Sequence, residues 1–297
     1  MNTNSTASLP ALKSGKLKAY FELLKPRVMY LVIFTALVGM VIAPQGIPAW
    51  QSMIALFAIA IGAGGSGALN MWYDRDIDRL MKRTQKRPLC TNAVTSKEAL
   101  MLGLGFSGVS IILLYQVSNI LSTFLLFFTI FFYISIYTVI LKRKTPQNIV
   151  IGGAAGAFPP MIGYSVQTGM VSFESIILFL IIFFWTPPHF WMLSLDRFED
   201  YANAKVPMLP NTHGEKETLR QSLFYVIILW PVTFLPFICG YWSKFYGISM
   251  ISLNIMFTYN LLKYGKTKPK KVFGISIIYL FLLFMSILID AWIRKMI

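Results

Sequence analysis

Residues 53–87 read MIALFAIAIGAGGSGALNMWYDRDIDRLMKRTQKR, and this stretch decides the fold. Its first 19 residues, 53–71, carry no charged side chain, and a helix needs about 20 such residues to cross a bilayer. Acidic and basic side chains then follow in close succession from Asp74 onward. The stretch predicts a transmembrane helix that ends in a charged segment at one membrane surface.

The rest of the chain repeats this alternation of apolar runs and short charged gaps. Of the 297 residues, 56% are hydrophobic and 13% are charged, and soluble domains carry about 25% charged residues. The composition excludes a water-soluble globular protein and predicts an all-α integral membrane protein. Apolar runs of span length predict nine transmembrane helices, near residues 28–42, 53–71, 100–115, 120–141, 149–164, 173–195, 223–242, 247–262 and 273–292.

The basic residues predict how these nine spans are oriented. If the N-terminus lies inside, 24 of the 27 lysines and arginines fall in cytoplasmic segments, and Lys244, Arg294 and Lys295 fall outside. Cytoplasmic loops of membrane proteins carry such an excess. We therefore expect a bacterial cytoplasmic membrane or its equivalent, a cytoplasmic segment over 1–23, one membrane domain over 24–297 and a C-terminus outside.

Several other classes of protein are disfavoured. The first 19 residues contain lysines but no apolar run of 7–15 residues, so we expect no cleavable signal peptide. Cys90 and Cys239 lie far apart without metal-ligand spacing, which predicts neither a disulfide framework nor a zinc site. The basic residues lie between apolar runs rather than in one patch, so we expect no nucleic-acid binding.

The longest predicted cytoplasmic loops follow the second and sixth spans, and both begin with acidic residues. Asn70, Asp74 and Asp78 are spaced i, i+4, i+8, so on a helix they share one face over about 12 Å, whereas Asp76 faces away. Carboxylate and amide oxygens suit Mg²⁺, whose coordination is usually completed by water and substrate phosphates. This face predicts a magnesium site for a phosphorylated substrate.

The neighbouring residues extend this pattern but also allow a simpler interpretation. A basic series suited to phosphate binding follows the first acidic group, and Asp196 and Asp200 repeat the i, i+4 spacing after the sixth span. The simpler interpretation is a solvated helix end, where basic anchors are balanced by acids. The basic series consists of Arg79, Lys82, Arg83, Lys86 and Arg87.

The two acidic patterns resemble those of a known family. NxxxDxxxD at residues 70–78 and DxxxD at residues 196–200 look like the two aspartate-rich motifs of the UbiA-type intramembrane prenyltransferases. Four longer motifs resemble the haem O synthases, the protohaem IX farnesyltransferase branch of that superfamily, over about Leu24 to Gly214. They are LKPRVMYLV from Leu24, MKRTQKRPL from Met81, YTVILKRKTPQNIVIGGAAGAFPPMIGY from Tyr137 and WTPPHFW from Trp185.

The resemblance implies a nine-helix bundle around a central cavity that opens to the cytoplasm. It implies transfer of the farnesyl group of farnesyl diphosphate to a vinyl group of haem B, with addition of water. Mg²⁺ would be bound by Asp74, Asp78 and Asp200, with Asn70 assisting. The other implied substrate contacts are Arg83, Arg87, Lys142 and Arg143 for the diphosphate or the haem propionates, Lys25 and Arg27 at the mouth of the pocket, and Asp196.

Some features leave alternatives open. His189 fits either a hydrogen-bonded packing residue or a group that serves the porphyrin, and Pro159–Pro160 and Pro187–Pro188 are expected to border the substrate chamber. Two other functions are compatible with the pattern: prenyl transfer to a quinone precursor or chlorophyllide, and transport. The acids cluster at one membrane face rather than the midplane, which argues against transport. For a haem O synthase, the expected protein partners are haem A synthase or terminal-oxidase assembly proteins.

Overall fold

The structure, a computed structural model, describes residues 14–44 and 46–296. Every regular element in these ranges is a helix. The predicted cytoplasmic segment 1–23 is described only from Ser14 onward, and its earlier residues lie outside the described part.

Eleven helical segments follow one another along the described chain. The fifth changes from an α-helix to a π-helix at Phe132 without a break. The segments are α1 (Ser14–Leu23), α2 (Pro26–Ile42), α3 (Ala49–Leu80), α4 (Ser96–Val117), α5 (Ile120–Phe131, continuing as the π-helix Phe132–Leu141), α6 (Asn148–Thr168), α7 (Phe173–Asp196), α8 (Phe198–Asn203), α9 (Leu209–Ile238), α10 (Lys244–Tyr264) and α11 (Pro269–Met296).

Each of the nine predicted spans corresponds to a helix of the described chain. Eight helices are long and apolar enough to cross a membrane, and the bent pair formed by α1 and α2 brings the number to nine. The bend between α1 and α2 is 48° and lies at Lys25, which precedes Pro26 and adopts a left-handed backbone conformation with φ 53°. The predicted all-α membrane fold is confirmed.

The seventh predicted span, 223–242, differs most from the structure. α9 begins earlier, at Leu209, because Pro210 in its first turn suits a helix start. Gly214 interrupts this helix with φ 79° and ψ 173°, and Gly240, with φ 73°, makes the turn after its end at Ile238. The apolar run therefore predicted that this span exists, whereas Gly214 and Gly240 determine where the chain bends.

α3 extends well beyond its apolar run. Residues 68–80 contain neither glycine nor proline, so no helix breaker separates the apolar run from the acidic segment. The helix continues to Leu80 and carries Asn70, Asp74 and Asp78 on regular backbone. The acidic face is thus fixed to the longest helix of the described chain.

α2 and α6 approach each other through glycines. A Cβ atom at Gly39 would lie 2.0 Å from the Pro160 carbonyl oxygen, and one at Gly163 would lie 2.0 Å from the Ala36 carbonyl oxygen. Small residues allow such backbone contact between membrane helices. The close contact fixes α2 against α6, and an apolar cavity lies between these two helices, α3 and α5.

The two acidic loops, which we define as residues 72–95 after the second predicted span and residues 196–208 after the sixth, pack against each other at one end of the bundle. Ile77 and Met81 at the end of α3 form a buried apolar cluster with Tyr201 and Val206 of the second loop. At the same end, Lys16 of α1 forms a 2.6 Å ion pair with Glu98 of α4. Apolar contacts therefore bring the two acidic motifs, which are distant in sequence, to one region of the fold.

Candidate active site

The acidic face of α3 points into the protein. The relative exposures of Asn70, Asp74 and Asp78 are 3%, 0% and 2%. Asp76 is exposed and accepts two 2.7 Å hydrogen bonds from the Arg143 guanidinium. This is the distribution that the i, i+4, i+8 spacing predicts.

Asp74 lies at the centre of the polar cluster. Its Oδ2 accepts a 2.8 Å hydrogen bond from Asn70 Nδ2 and lies 2.5 Å from Lys142 Nζ. Its Oδ1 is buried without a hydrogen-bond partner, and Arg143 Nη2 lies 3.6 Å from that oxygen. One oxygen of this buried carboxylate is therefore free to ligate a cation.

The π-helix supplies polar groups that face α3. Thr138 accepts a 3.0 Å hydrogen bond from Asn70 Nδ2 and donates to the Tyr133 carbonyl oxygen, five residues earlier. Bonding from i to i+5 adds one residue to each turn, so Tyr133, Thr138 and Lys142 lie along one side. Tyr133 and Thr138 were not predicted as site residues, because the apolar run FYISIYTVIL contains no signal that distinguishes a π-helix from an α-helix.

Lys25 connects the polar cluster to the apolar interior. Its Nζ donates to Asn70 Oδ1 at 2.5 Å and to the Tyr133 hydroxyl at 3.3 Å. Its aliphatic stem lies against Gly67, where a Cβ atom would be 3.4 Å from Lys25 Cγ and Cδ. The left-handed backbone at Lys25, uncommon for a residue other than glycine, lies at the bend before α2, and its side chain reaches α3.

Asp78 is held by the loop that follows α3. Arg87 Nη1 lies 2.5 Å from Asp78 Oδ2, and the Thr84 hydroxyl donates to the Asp78 carbonyl oxygen at 2.8 Å. Both groups lie on residues 81–95, the part of the first acidic loop that follows α3. The loop therefore folds back over the end of its own helix.

Asp200 joins the two acidic loops. Its carboxylate accepts backbone hydrogen bonds from Lys82 at 3.0 Å and from Arg83 at 3.3 Å, and it is 4% exposed. Burial raises the pKa of the adjacent Tyr201 phenol above its ordinary value near 10. These backbone bonds hold Asp200 at the start of the loop that follows α3, and within the described residues Asp200 does not complete a three-carboxylate metal site with Asp74 and Asp78.

Other predicted residues lie outside this cluster. Arg27 is exposed, and the Arg83 side chain is also exposed although its backbone N–H binds Asp200. Asp196 pairs with the neighbouring Arg197 at 3.2 Å. Arg143 reaches the edge of the cluster, and its hydrogen bonds to Asp76 raise the pKa of its guanidinium. The structure thus gathers seven of the predicted residues: Lys25, Asn70, Asp74, Asp78, Arg87, Lys142 and Arg143.

His189 lies in a different environment. Its ring is stacked between Trp185 and Phe273, with centroids 4.2 and 4.5 Å away, and its Nδ1 lies 2.6 Å from Ser276 Oγ. These partners belong to α7 and α11, and none of them lines the apolar cavity or contacts the carboxylates of α3. Pro159 lines that cavity as expected, whereas Pro187 and Pro188 do not.

The His189 stack leads to a testable expectation. We expect His189→Ala to lower the free energy of unfolding by about 3 kcal/mol, the cost typical of truncating a large buried ring, and to leave unchanged the KM for the haem substrate that the resemblance implies. Thermal unfolding and kinetics with haem varied measure the two effects. A rise in the haem KM without loss of stability would instead favour a role in porphyrin binding.

An apolar cavity of about 130 Å³ begins at the polar cluster. Lys25 and Tyr133 line one part of its wall, and the remaining wall is formed by α2, α3, α5 and α6. Ligand pockets usually measure about 300–1,000 Å³, so this cavity must widen to hold a long chain. Its other lining residues include Val28, Met29, Val32, Ile59, Ala63, Leu126, Ile130, Ala155, Gly156 and Ile162.

The polar cluster has the donor types that a hard divalent cation prefers. Within the described residues, no three His, Cys, Asp or Glu side chains lie close enough to hold one metal ion together. The residues nevertheless fit Mg²⁺, which uses one or two carboxylates together with water and substrate phosphates. The unpartnered Asp74 Oδ1 and the neighbouring Asn70 amide meet that requirement.

Comparison with known proteins agrees with this geometry. Residues 32–288 match the UbiA prenyltransferase family. Two curated relatives carry the name protoheme IX farnesyltransferase: one from Parvibaculum lavamentivorans is 50% identical over 97% of this chain and 93% of its own, and one from Azorhizobium caulinodans is 48% identical over the full length of both. The solved UbiA homologue from Archaeoglobus fulgidus bound to GPP and Mg²⁺ superposes with a TM-score of 0.71 at 18% identity, covering 92% of this chain and 99% of that one.

Proposed function

The chain belongs to the UbiA prenyltransferase family, and from that premise we infer that it is a protohaem IX farnesyltransferase. It transfers the farnesyl group of farnesyl diphosphate to a vinyl group of haem B, and addition of water completes haem O. Curated relatives of nearly equal length, 48–50% identical, carry the name of this activity. Haem A synthase or terminal-oxidase assembly proteins are the proposed recipients of the product.

One structural observation supports this function most directly. Lys25 lines the apolar cavity with its stem and binds Asn70 of the polar cluster with its ammonium group. A charged site and an apolar cavity therefore share a wall. Farnesyl diphosphate has the same division, with an anionic head and a long hydrocarbon chain, so the head fits the cluster and the chain fits the cavity.

The polar residues are proposed to share the diphosphate and its metal. Asp74, with Asn70, would supply oxygen ligands for Mg²⁺, which would neutralise charge on the departing diphosphate. Asp78 and Asp200 are proposed as further ligands that would approach the metal when the diphosphate binds, because the described residues do not hold three carboxylates at one point before it does. Basic side chains around them bind its oxygens or the haem propionates through charge-assisted hydrogen bonds. These proposed basic contacts are Arg83, Arg87, Lys142 and Arg143, with Lys25 and Arg27 at the mouth of the pocket.

The fold supplies the remaining requirements of the reaction. As the bond to the diphosphate breaks, the negative charge that develops on its oxygens is met by cations of the site such as Lys142, an electrostatic arrangement that lowers the barrier. The allylic cation lies beside Tyr133, whose ring offers cation–π stabilisation. The apolar walls exclude bulk water, so the vinyl carbon of haem reacts with the cation before one water is added. Asp196 is a proposed contact on the porphyrin side, and His189 is proposed to act as a packing residue between α7 and α11.

A product assay tests the function. We expect detergent-solubilised protein incubated with haem B, farnesyl diphosphate and Mg²⁺ to form a pigment whose mass equals haem B plus one farnesyl group and one water. EDTA should stop this conversion, and excess Mg²⁺ should restore it. Unchanged haem B together with prenylation of a quinone precursor would assign the chain to a different branch of the family.

The transmembrane orientation is proposed from the charge distribution. The N-terminus lies in the cytoplasm, the two acidic loops lie on the same side, and residues 24–297 form one membrane domain. We expect reporters fused after Arg87 or Lys271 to be cytoplasmic and one fused after Ile297 to be outside. A cytoplasmic reporter after Ile297 would contradict an odd number of spans.

A further inference from the structure

Each acidic ligand on α3 is already paired with a cation of the protein. Lys142 Nζ lies 2.5 Å from Asp74 Oδ2, Arg87 Nη1 lies 2.5 Å from Asp78 Oδ2, and Lys25 donates to the Asn70 amide oxygen. The side chains of Asp74 and Asp78 are almost fully buried, and those of Lys142 and Arg87 are 15% and 19% exposed. Charge is therefore balanced within the cluster by the chain itself.

Lys142 occupies Asp74 Oδ2, the second oxygen that a metal bound to the whole carboxylate would need beside the open Oδ1. Mg²⁺ lies about 2.0–2.1 Å from its oxygen ligands, and the Lys142 ammonium lies 2.5 Å from the same Asp74 carboxylate. Two cations this close to one oxygen repel each other strongly in a site of low dielectric constant. A metal that binds both oxygens of Asp74 must therefore displace Lys142.

A displaced cation needs a new partner. Lys142 is mostly buried, and a buried charge that loses its counter-ion is strongly destabilised. The neighbouring carboxylates already have partners: Asp78 pairs with Arg87 and, on the exposed side of α3, Asp76 pairs with Arg143. An incoming diphosphate is the ligand that offers Lys142 and Arg87 new oxygens to bind.

We propose that Lys142, with Arg87, is a built-in counter-ion that makes metal binding conditional on the diphosphate. In the protein without substrate, Lys142 neutralises Asp74 and keeps the affinity for divalent metal low. When the diphosphate arrives, Lys142 transfers to its oxygens and releases the carboxylate for the metal. This inference rests on the proposed function for the presence of a diphosphate, and it assigns Lys142 a positioning role in addition to substrate binding.

Coupling of this kind is reciprocal. If the diphosphate raises the affinity for metal by some factor, the metal must raise the affinity for diphosphate by the same factor. Lys142 carries that coupling because it pairs with the carboxylate in one state and with the diphosphate in the other. A neutral residue at position 142 should therefore raise the affinity for metal alone and reduce the coupling.

Metal binding without turnover tests the proposal. Binding of Mn²⁺ to the full-length, detergent-solubilised protein is measured by the loss of the electron paramagnetic resonance signal of free Mn²⁺, with and without inorganic diphosphate. For the unaltered protein we expect diphosphate to tighten Mn²⁺ binding at least tenfold, after correction for the Mn²⁺–diphosphate complex formed in solution. Lys142→Met should bind Mn²⁺ alone at least tenfold more tightly than the unaltered protein. Diphosphate should then tighten Mn²⁺ binding to this variant by less than about threefold.

Lys144→Met is the matched control. Lys144 lies two residues after Lys142 and its side chain is exposed, so the substitution removes the same charge at the surface. It should bind Mn²⁺ like the unaltered protein. Lys142→Gln is a second variant in case Lys142→Met unfolds, and the unfolding midpoint of each is measured.

Equal Mn²⁺ affinity of the unaltered protein and both Lys142 variants would overturn the inference, as would diphosphate-independent binding by the unaltered protein. The outcome is separable from that of the proposed function. Coupled binding of Mn²⁺ and diphosphate without haem O formation would refute the activity and leave the counter-ion role standing. Haem O formation without coupled binding of Mn²⁺ and diphosphate would refute the counter-ion role and leave the activity standing.

Discussion

Asp74→Asn is expected to reduce the rate of haem O formation by about 10²–10³-fold, the loss typical of removing one charge-stabilising group from an active site. Asp74 is fully buried and contacts both Asn70 and Lys142. Asparagine keeps the shape and the acceptor for the Asn70 amide, but it removes the negative charge that would hold the metal. The initial rate with saturating haem B and farnesyl diphosphate gives the effect.

Asp76→Asn is the matched control two residues along the same helix, on the opposite face. Asp76 is exposed and pairs with Arg143 at the surface, and surface ion pairs contribute only about 0–1 kcal/mol. We therefore expect the rate of haem O formation by Asp76→Asn to fall by less than about fivefold. Similar losses at positions 74 and 76, in variants with normal unfolding midpoints, would contradict the assignment of the active face of α3.

The helical face of the site was predictable because its cause is local. Asn70, Asp74 and Asp78 follow an apolar run without an intervening helix breaker, so the helical period alone determines that they share a face. The positions of the nine spans follow from hydropathy for the same reason, since each backbone must form its hydrogen bonds internally within the bilayer. Both features depend on a single stretch of chain.

The partners of these residues depend on contacts between distant stretches, which composition does not encode. The π-helix that aligns Thr138 with Asn70 leaves no pattern in its apolar sequence. The backbone bonds of Asp200 to residues 82 and 83 require that two loops pack together. Likewise, the sequence could not place His189, whose ring is stacked against Phe273 of α11, a helix more than 80 residues later.

The site also explains why several basic residues near the acids differ in role. Arg143 points to the exposed Asp76, whereas Lys142 points to the buried Asp74. The two residues are adjacent in sequence, yet Lys142 pairs closely with Asp74 whereas Arg143 comes no nearer than 3.6 Å to it and bonds mainly to Asp76. A run of basic residues therefore does not act as one uniform anion-binding site.

Filling the apolar cavity should alter selectivity for the length of the prenyl chain. Gly156 lines the cavity, and a Cβ atom there would meet no atom within 4 Å, so Gly156→Phe places its ring in open space that the farnesyl chain needs. Overfilling a packed site costs about 1–3 kcal/mol, which predicts a fall of about 5- to 150-fold in kcat/KM for farnesyl diphosphate. The shorter dimethylallyl diphosphate should be affected much less, because its chain stays close to the polar cluster.

Gly105→Phe supplies the control, since Gly105 is exposed on α4 and a Cβ atom there also meets open space. That ring would point away from the cavity into lipid, so farnesyl transfer should remain within about twofold of normal. Competition between the two diphosphates for haem B, with products separated by mass, gives the ratio of kcat/KM values directly. An unchanged ratio in Gly156→Phe would show that the chain lies elsewhere, because a ring placed beside the farnesyl group cannot leave its length selectivity intact.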